Sequence, residues 1–208
     1  MNLFYGFVFF TGLMISVLNF RTKYFYEDKK LQSRKVEGPL IVISNHTSLY
    51  DYVATVNAFR LKYLRVVGSE ALFKSKSNAW FFRNLGMIKA ERFNHDYGYL
   101  KQCQDVLENK GMVLLYPEAR LPKPGETDMK FTNGATFLAL ESNVQILPIF
   151  VQNVNNFKKR TKVVIGMPID VNTMIDGTLT KEQNIERITS TLKEKVYSLK
   201  GLIDVKKS

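Results

Sequence analysis

Between Gly38-Pro39 and Asn45 four successive apolar residues, Leu40, Ile41, Val42 and Ile43, form an uninterrupted β-prone run. A run of that length predicts a short strand buried on both faces. The stretch "MVLLYPE" repeats the pattern and ends on Pro117 and Glu118, and "YLRVVGS", "GMIKAER", "VQILPIFVQN" and "KVVIGMPI" are also strand-like. Between them the spacing changes to helical periodicity. "SLYDYVATVNAFRL", "NAWFFRNLG" stopped by Gly86, "DYGYLKQCQDVLENKG" ending at Gly111, and "NGATFLALES" predict helices, with glycine at two C-terminal ends. Ile185, Ile188, Leu192, Val196, Leu199 and Ile203 predict a C-terminal amphipathic helix. Strands alternating with helices predict an α/β fold, a mixed and largely parallel sheet flanked by helices, and strand ends in such sheets are where polar chemistry collects.

Residues 3–20 break this alternation. "LFYGFVFFTGLMISVLNF" carries no charge, and as a helix it would be about 27 Å long, close to the ~30 Å hydrocarbon core of a bilayer. The basic stretch that follows, with Arg21, Lys23, Lys29, Lys30, Arg34 and Lys35, predicts a retained membrane anchor with the rest of the chain on the cytoplasmic face. The expected organisation is a membrane anchor and basic segment over 1–36 and a folded α/β domain over 37–208. Of the 208 residues, 30 are Lys or Arg and 19 Asp or Glu, a net charge of +11, which favours an anionic partner: membrane lipid, or a phosphorylated or coenzyme substrate. The single cysteine, Cys103, excludes an internal disulfide. It stands in "LKQCQDVL" with no neighbouring histidine to activate it.

Two histidines are present, and one of them, His46, directly follows the buried strand. Asp51 lies five positions on, one turn inside a helix capped by Thr47 or Ser48. A carboxylate that accepts from one imidazole nitrogen fixes the tautomer and raises the basicity of the other, giving a general base for a hydroxyl. An ordinary helix-capping interaction satisfies the same spacing. A metal-dependent hydrolase built on His46, Asp51, Glu118 and His95 is a further alternative, although no His-x-His or His-Glu-x-x-His spacing occurs. A non-catalytic membrane-surface protein would explain the charge but leave the dyad unused.

Four stretches in order, "NHTSLYD", "LGMIKAER", "LYPEAR" with "KFTNGATFLA", and "ILPIF", resemble the blocks of the phospholipid acyltransferase family that includes 1-acylglycerol-3-phosphate acyltransferases. The likeness runs from about Pro39 to Pro168. It implies His46 and Asp51 as the catalytic pair, with Asn45, Arg92, Glu118 and Arg120 binding substrate. Gly86, Pro117, Phe131, Gly134 and Pro148 match the other block positions. It also implies acyl transfer from a thioester co-substrate, acyl-CoA or acyl carrier protein, to glycerol phosphate, lysophosphatidate or a related lysolipid. No bound cofactor, metal or nucleic acid is expected. The family's third block usually reads Pro-Glu-Gly-Thr-Arg, whereas "PEAR" is one residue shorter and has Ala119 where glycine would permit positive φ.

Overall fold

The computed structural model describes residues 6–7, 21–30, 36, 38–59, 63–90, 98–152 and 160–204. Its centre is a seven-stranded sheet of order β1-β7-β6-β2-β5-β3-β4. The strands are β1 (Lys23–Tyr26), β2 (Leu40–Ser44), β3 (Leu64–Ser69), β4 (Ile88–Ala90), β5 (Met112–Leu115), β6 (Ile146–Gln152) and β7 (Lys162–Ile165). Every neighbouring pair is parallel except β6 and β7. The α/β architecture with a mixed, mostly parallel sheet is the one that the alternation predicts.

The apolar runs are uninterrupted because both faces of the central strands are covered. Ile41 and Ile43 of β2, with Val113 and Leu115 of β5, enter one core. Leu40, Val42, Met112 and Leu114 enter the other. Burying one such side chain contributes about 1.5–3 kcal/mol. The first core is closed by α3 (Gly98–Glu108) through Leu100, Cys103 and Leu107, and by α4 (Gly134–Ser142) through Ala135, Leu138 and Ala139. Helix α5 (Lys181–Ser198) adds Ile188, Leu192 and Val196, and α6 (Gly201–Asp204) adds Ile203. The N-terminus of α5 is fixed by a reciprocal capping box between Thr180 and Gln183.

The second core is covered by α1 (Asp51–Ala58), through Ala54, Val56 and Ala58. Beyond it, a 3₁₀ turn at Glu70–Phe73 leads into α2 (Lys76–Asn84). Gly68 makes room for this turn: a Cβ there would come within 2.8 Å of Met87 and 3.2 Å of Leu72. Gly86, which ends the α2 turn, has φ +75°.

Two elements differ from the sequence reading. The helix after His46 begins at Asp51 rather than at Thr47 or Ser48, and Tyr50 is its N-cap without a side-chain cap bond. Lys23–Tyr26 is an edge strand, registered on Lys162–Ile165, so part of the stretch grouped with the anchor belongs to the sheet. The anchor expected over 3–20 lies outside the described residues, apart from 6–7. Among the described residues no helix is long and apolar enough to cross a membrane.

Candidate active site

The parallel strands β2, β3, β4 and β5 bring their C-terminal ends to one side of the sheet, and His46 stands there, two residues past β2. Asn45 terminates the strand. Its amide extends the β2–β6 ladder, Nδ2 donating to the Val151 carbonyl at 3.0 Å and Oδ1 accepting from the Val151 N–H at 2.7 Å. The chain then folds back around Asp51, which has no exposed surface.

One oxygen of that carboxylate does most of the work. Asp51 Oδ2 accepts from the Thr47 N–H at 2.5 Å and the Ser48 N–H at 2.8 Å, and it faces His46 Nδ1 at 3.2 Å. Oδ1 faces the Thr47 hydroxyl at 3.4 Å. Two backbone donors and a helix N-terminus stabilise a buried negative charge. An ionised Asp51 holds the proton on Nδ1 and leaves the lone pair on Nε2. Among the described residues Nε2 has no hydrogen-bond partner, and the imidazole keeps 17% exposure. The ring plane is set by Tyr116, stacked at 4.2 Å between centroids and 22° between planes. Burial, with the Asp51 charge beside it, pushes the Tyr116 phenol well above its usual range, so it stays protonated.

Glu118 joins the two strand ends. Its Oε2 accepts from the His46 backbone N–H at 3.1 Å and its Oε1 from the Tyr197 hydroxyl of α5 at 2.6 Å. Burial raises the Glu118 carboxyl above its ordinary range, while the Tyr197 and His46 hydrogen bonds pull it down. Tyr197 in turn packs against Phe131 and Phe150, with ring centroids at 6.3 and 6.1 Å. A path of contacts thus runs from α5 through Glu118 to the backbone of His46.

The arrangement is a buried carboxylate orienting a partly exposed imidazole at the end of a parallel strand, which can remove a proton from a hydroxyl. Comparison with known proteins adds the family. The sequence model described as Acyltransferase matches residues 24–152. The chain belongs to the acyltransferase family. The 1-acyl-sn-glycerol-3-phosphate acyltransferase of Helicobacter pylori is 23% identical to it over 139 residues, which is 62% of this chain and 58% of the relative. The chain therefore spans less than two thirds of that relative's length. The crystal structure of the 1-acyl-sn-glycerophosphate (LPA) acyltransferase PlsC from Thermotoga maritima superimposes with a TM-score of 0.58 at 16% identity, covering 95% of this chain and 94% of that one. At that identity the likeness concerns the fold.

Within this acyltransferase-family chain the predicted site residues separate into groups. His46 and Asp51 meet. Asn45 and Glu118, expected to bind substrate, are 1% and 5% exposed and have their polar atoms engaged by Val151, His46 and Tyr197. They position the His46 loop. The Arg120 guanidinium grips Glu126 at 2.7 and 2.5 Å in an exposed pair and also donates to the Leu121 carbonyl. Between Glu118 and Arg120, Ala119 adopts φ +59°, the left-handed conformation that the family's glycine accepts without strain. Arg92 and His95 lie outside the described residues. Cys103 is fully buried and its thiol is pushed up to about 12, so it remains a core side chain. Among the described residues no three His, Cys, Asp or Glu side chains cluster as metal ligands would. A cavity of about 550 Å³ bordered by Gly38, Tyr63, Arg65 and Lys110 lies at the opposite, N-terminal ends of β2 and β3.

Tyr116 and Tyr197 are the residues that sequence reasoning passed over. Tyr116 directly precedes Pro117-Glu118 and had a positional signal. Tyr197 had none, being 79 residues from the carboxylate it holds.

Proposed function

We propose that this chain is a membrane-associated O-acyltransferase that moves an acyl group from a thioester, acyl-CoA or acyl carrier protein, to the free hydroxyl of a glycerol phosphate or lysophospholipid, with 1-acylglycerol-3-phosphate as the leading acceptor in phospholipid synthesis. The observation that carries this reading is His46 Nδ1 at 3.2 Å from the buried Asp51 carboxylate, in a family whose relatives are named for that reaction. His46 Nε2 takes the proton of the acceptor hydroxyl as its oxygen attacks the thioester carbonyl. The C–O bond forms, the C–S bond breaks, and the imidazolium returns the proton to the leaving thiolate. No acyl-enzyme intermediate is required. Arg92 is the proposed clamp for the acceptor phosphate, because an arginine fork matches phosphate oxygens in two places. Residues 3–20 and the basic stretch after them are proposed to hold the enzyme on the cytoplasmic face of an anionic membrane.

The deciding experiment follows thiol release by the purified full chain from an acyl thioester, with glycerol 3-phosphate, lysophosphatidate and other lysolipids as acceptors. Acceptor-dependent release that falls roughly 10²- to 10⁴-fold in His46→Ala supports the reading. A folded His46→Ala protein with near-normal transfer, or no release with any acceptor, rejects it. Arg92→Lys is expected to raise the acceptor KM and leave the thioester KM unchanged.

A further inference from the structure

None of the residues of helix α2 is buried, unlike those of the helices that cover the two cores. It is nevertheless a fixed element. Ser75 Oγ caps it by accepting from the Asn78 N–H at 3.1 Å, and Phe82 anchors it through buried Phe73, ring centroids 5.9 Å apart. That anchoring turns Trp80 and Phe81 outward, 59% and 38% exposed. The segment's own charge has one sign: between Glu70 and Glu91 the chain carries Lys74, Lys76, Arg83 and Lys89 and no Asp or Glu. Lys74, Lys76 and Arg83 are exposed and form no ion pair among the described residues. The turn beneath α2 sits over Gly68, on the sheet face that α1 also covers. Leu49 and Tyr50, 66% and 50% exposed, stand between His46 and α1 on that side.

We infer that α2 is a lipid-docking element, with Trp80 and Phe81 entering the headgroup region of an anionic bilayer while Lys74, Lys76 and Arg83 contact its phosphates. Exposed aromatics on a helix whose charged side chains are all cations match a lipid surface, which offers an apolar layer directly beneath negative charge. The contact is separate from any anchoring by residues 3–20 and from the acyl-transfer chemistry. It deepens the membrane part of the proposed function by naming the surface involved.

Trp80 is the chain's single tryptophan, so its fluorescence reports on α2 alone, even if another segment holds the protein on the membrane. The full chain is mixed with phosphatidylglycerol vesicles or phosphatidylcholine vesicles. The expected result is a blue shift of Trp80 emission and loss of acrylamide quenching on the anionic vesicles. Each cation at such a surface strengthens binding about fivefold, so Lys76→Glu with Arg83→Glu should weaken the α2 contact at least about 25-fold and abolish the shift, while transfer between short-chain soluble substrates persists. His46→Ala should retain the shift, which separates docking from catalysis. Vesicle-bound protein whose Trp80 stays fully quenchable overturns the inference. So does a double variant whose Trp80 shift and quenching on vesicles match the parent's, or an equal blue shift on single-stranded RNA with none on vesicles.

Discussion

Asp51→Asn separates two contributions of one carboxylate. Oδ2 alone faces His46 Nδ1, Thr47 N–H and Ser48 N–H. An asparagine with its carbonyl oxygen at that position keeps all three contacts and turns only its NH₂ toward the Thr47 hydroxyl, which can rotate to accept. The imidazole therefore keeps its orientation and its Nδ1–H tautomer. What it loses is the negative charge facing the imidazolium. At 3.2 Å a unit pair in an effective dielectric of ~20 interacts by about 5 kcal/mol, an upper bound. With the proton partly transferred at the transition state, about half to three-quarters of that acts on the barrier, roughly 10²- to 10³-fold in kcat. Asp51→Ala also orphans the buried donors and should cost about 3–5 kcal/mol of stability. The assay is thiol release at saturating lysophosphatidate, with urea midpoints for each variant. Activity of Asp51→Asn within tenfold of the parent would refute the build-up of imidazolium against this carboxylate. A loss that exceeds about 10³-fold and equals that of His46→Ala would show that the asparagine does not preserve the ring's orientation.

Ala119→Gly should stabilise the fold by about 0.5–1 kcal/mol, because relief of positive-φ strain, ~1–2 kcal/mol, exceeds the added unfolded-state entropy, ~0.4–1 kcal/mol; a lower urea midpoint contradicts this. Glu118→Gln tests the buried carboxyl. Burial raises its folded pKa above the ordinary 4.5, so its contribution is fully present below pH 4.5 and fades as pH rises through the folded value. The stability of the parent relative to the glutamine variant should fall across that window, and a gap that widens with rising pH would be inconsistent with it. Arg120→Ala should leave both the urea midpoint and the acceptor KM unchanged, as expected for an exposed pair with Glu126; a several-fold rise in acceptor KM would return Arg120 to the substrate.

What could be read from the sequence was local. The run Leu40–Ile43 announced a strand buried on both faces, and the five-residue step from His46 to Asp51 is short enough for spacing alone to bring them together. The helix start was misjudged because Thr47 contributes its N–H to Asp51 instead of a capping hydroxyl. β1 escapes a local reading because Lys23–Tyr26 pairs with β7, whose register lies far along the chain. The partners of Asn45, Glu118 and Arg120 are set by loop geometry or by long-range packing, and residue type could not separate a group that holds the loop from one that holds a ligand. Ala119 shows a further limit: its side chain argues against left-handed backbone, and the contacts on either side of it impose that conformation.

The pairing of β1 with β7 also orders events in time. Lys23 is registered on Lys162 and Tyr26 on Ile165, so among the described strands β1 must wait for β7, made long after it. At ~5–20 residues per second the delay is roughly 7–28 s. Until then β2, β5, β3 and β4 can assemble with β6 as a five-stranded sheet, while Lys23–Tyr26 lacks the register that β7 gives it. Synthesis thus leaves an interval in which β1 stands apart from a sheet already five strands wide, before pairing with β7 ties it to the far edge.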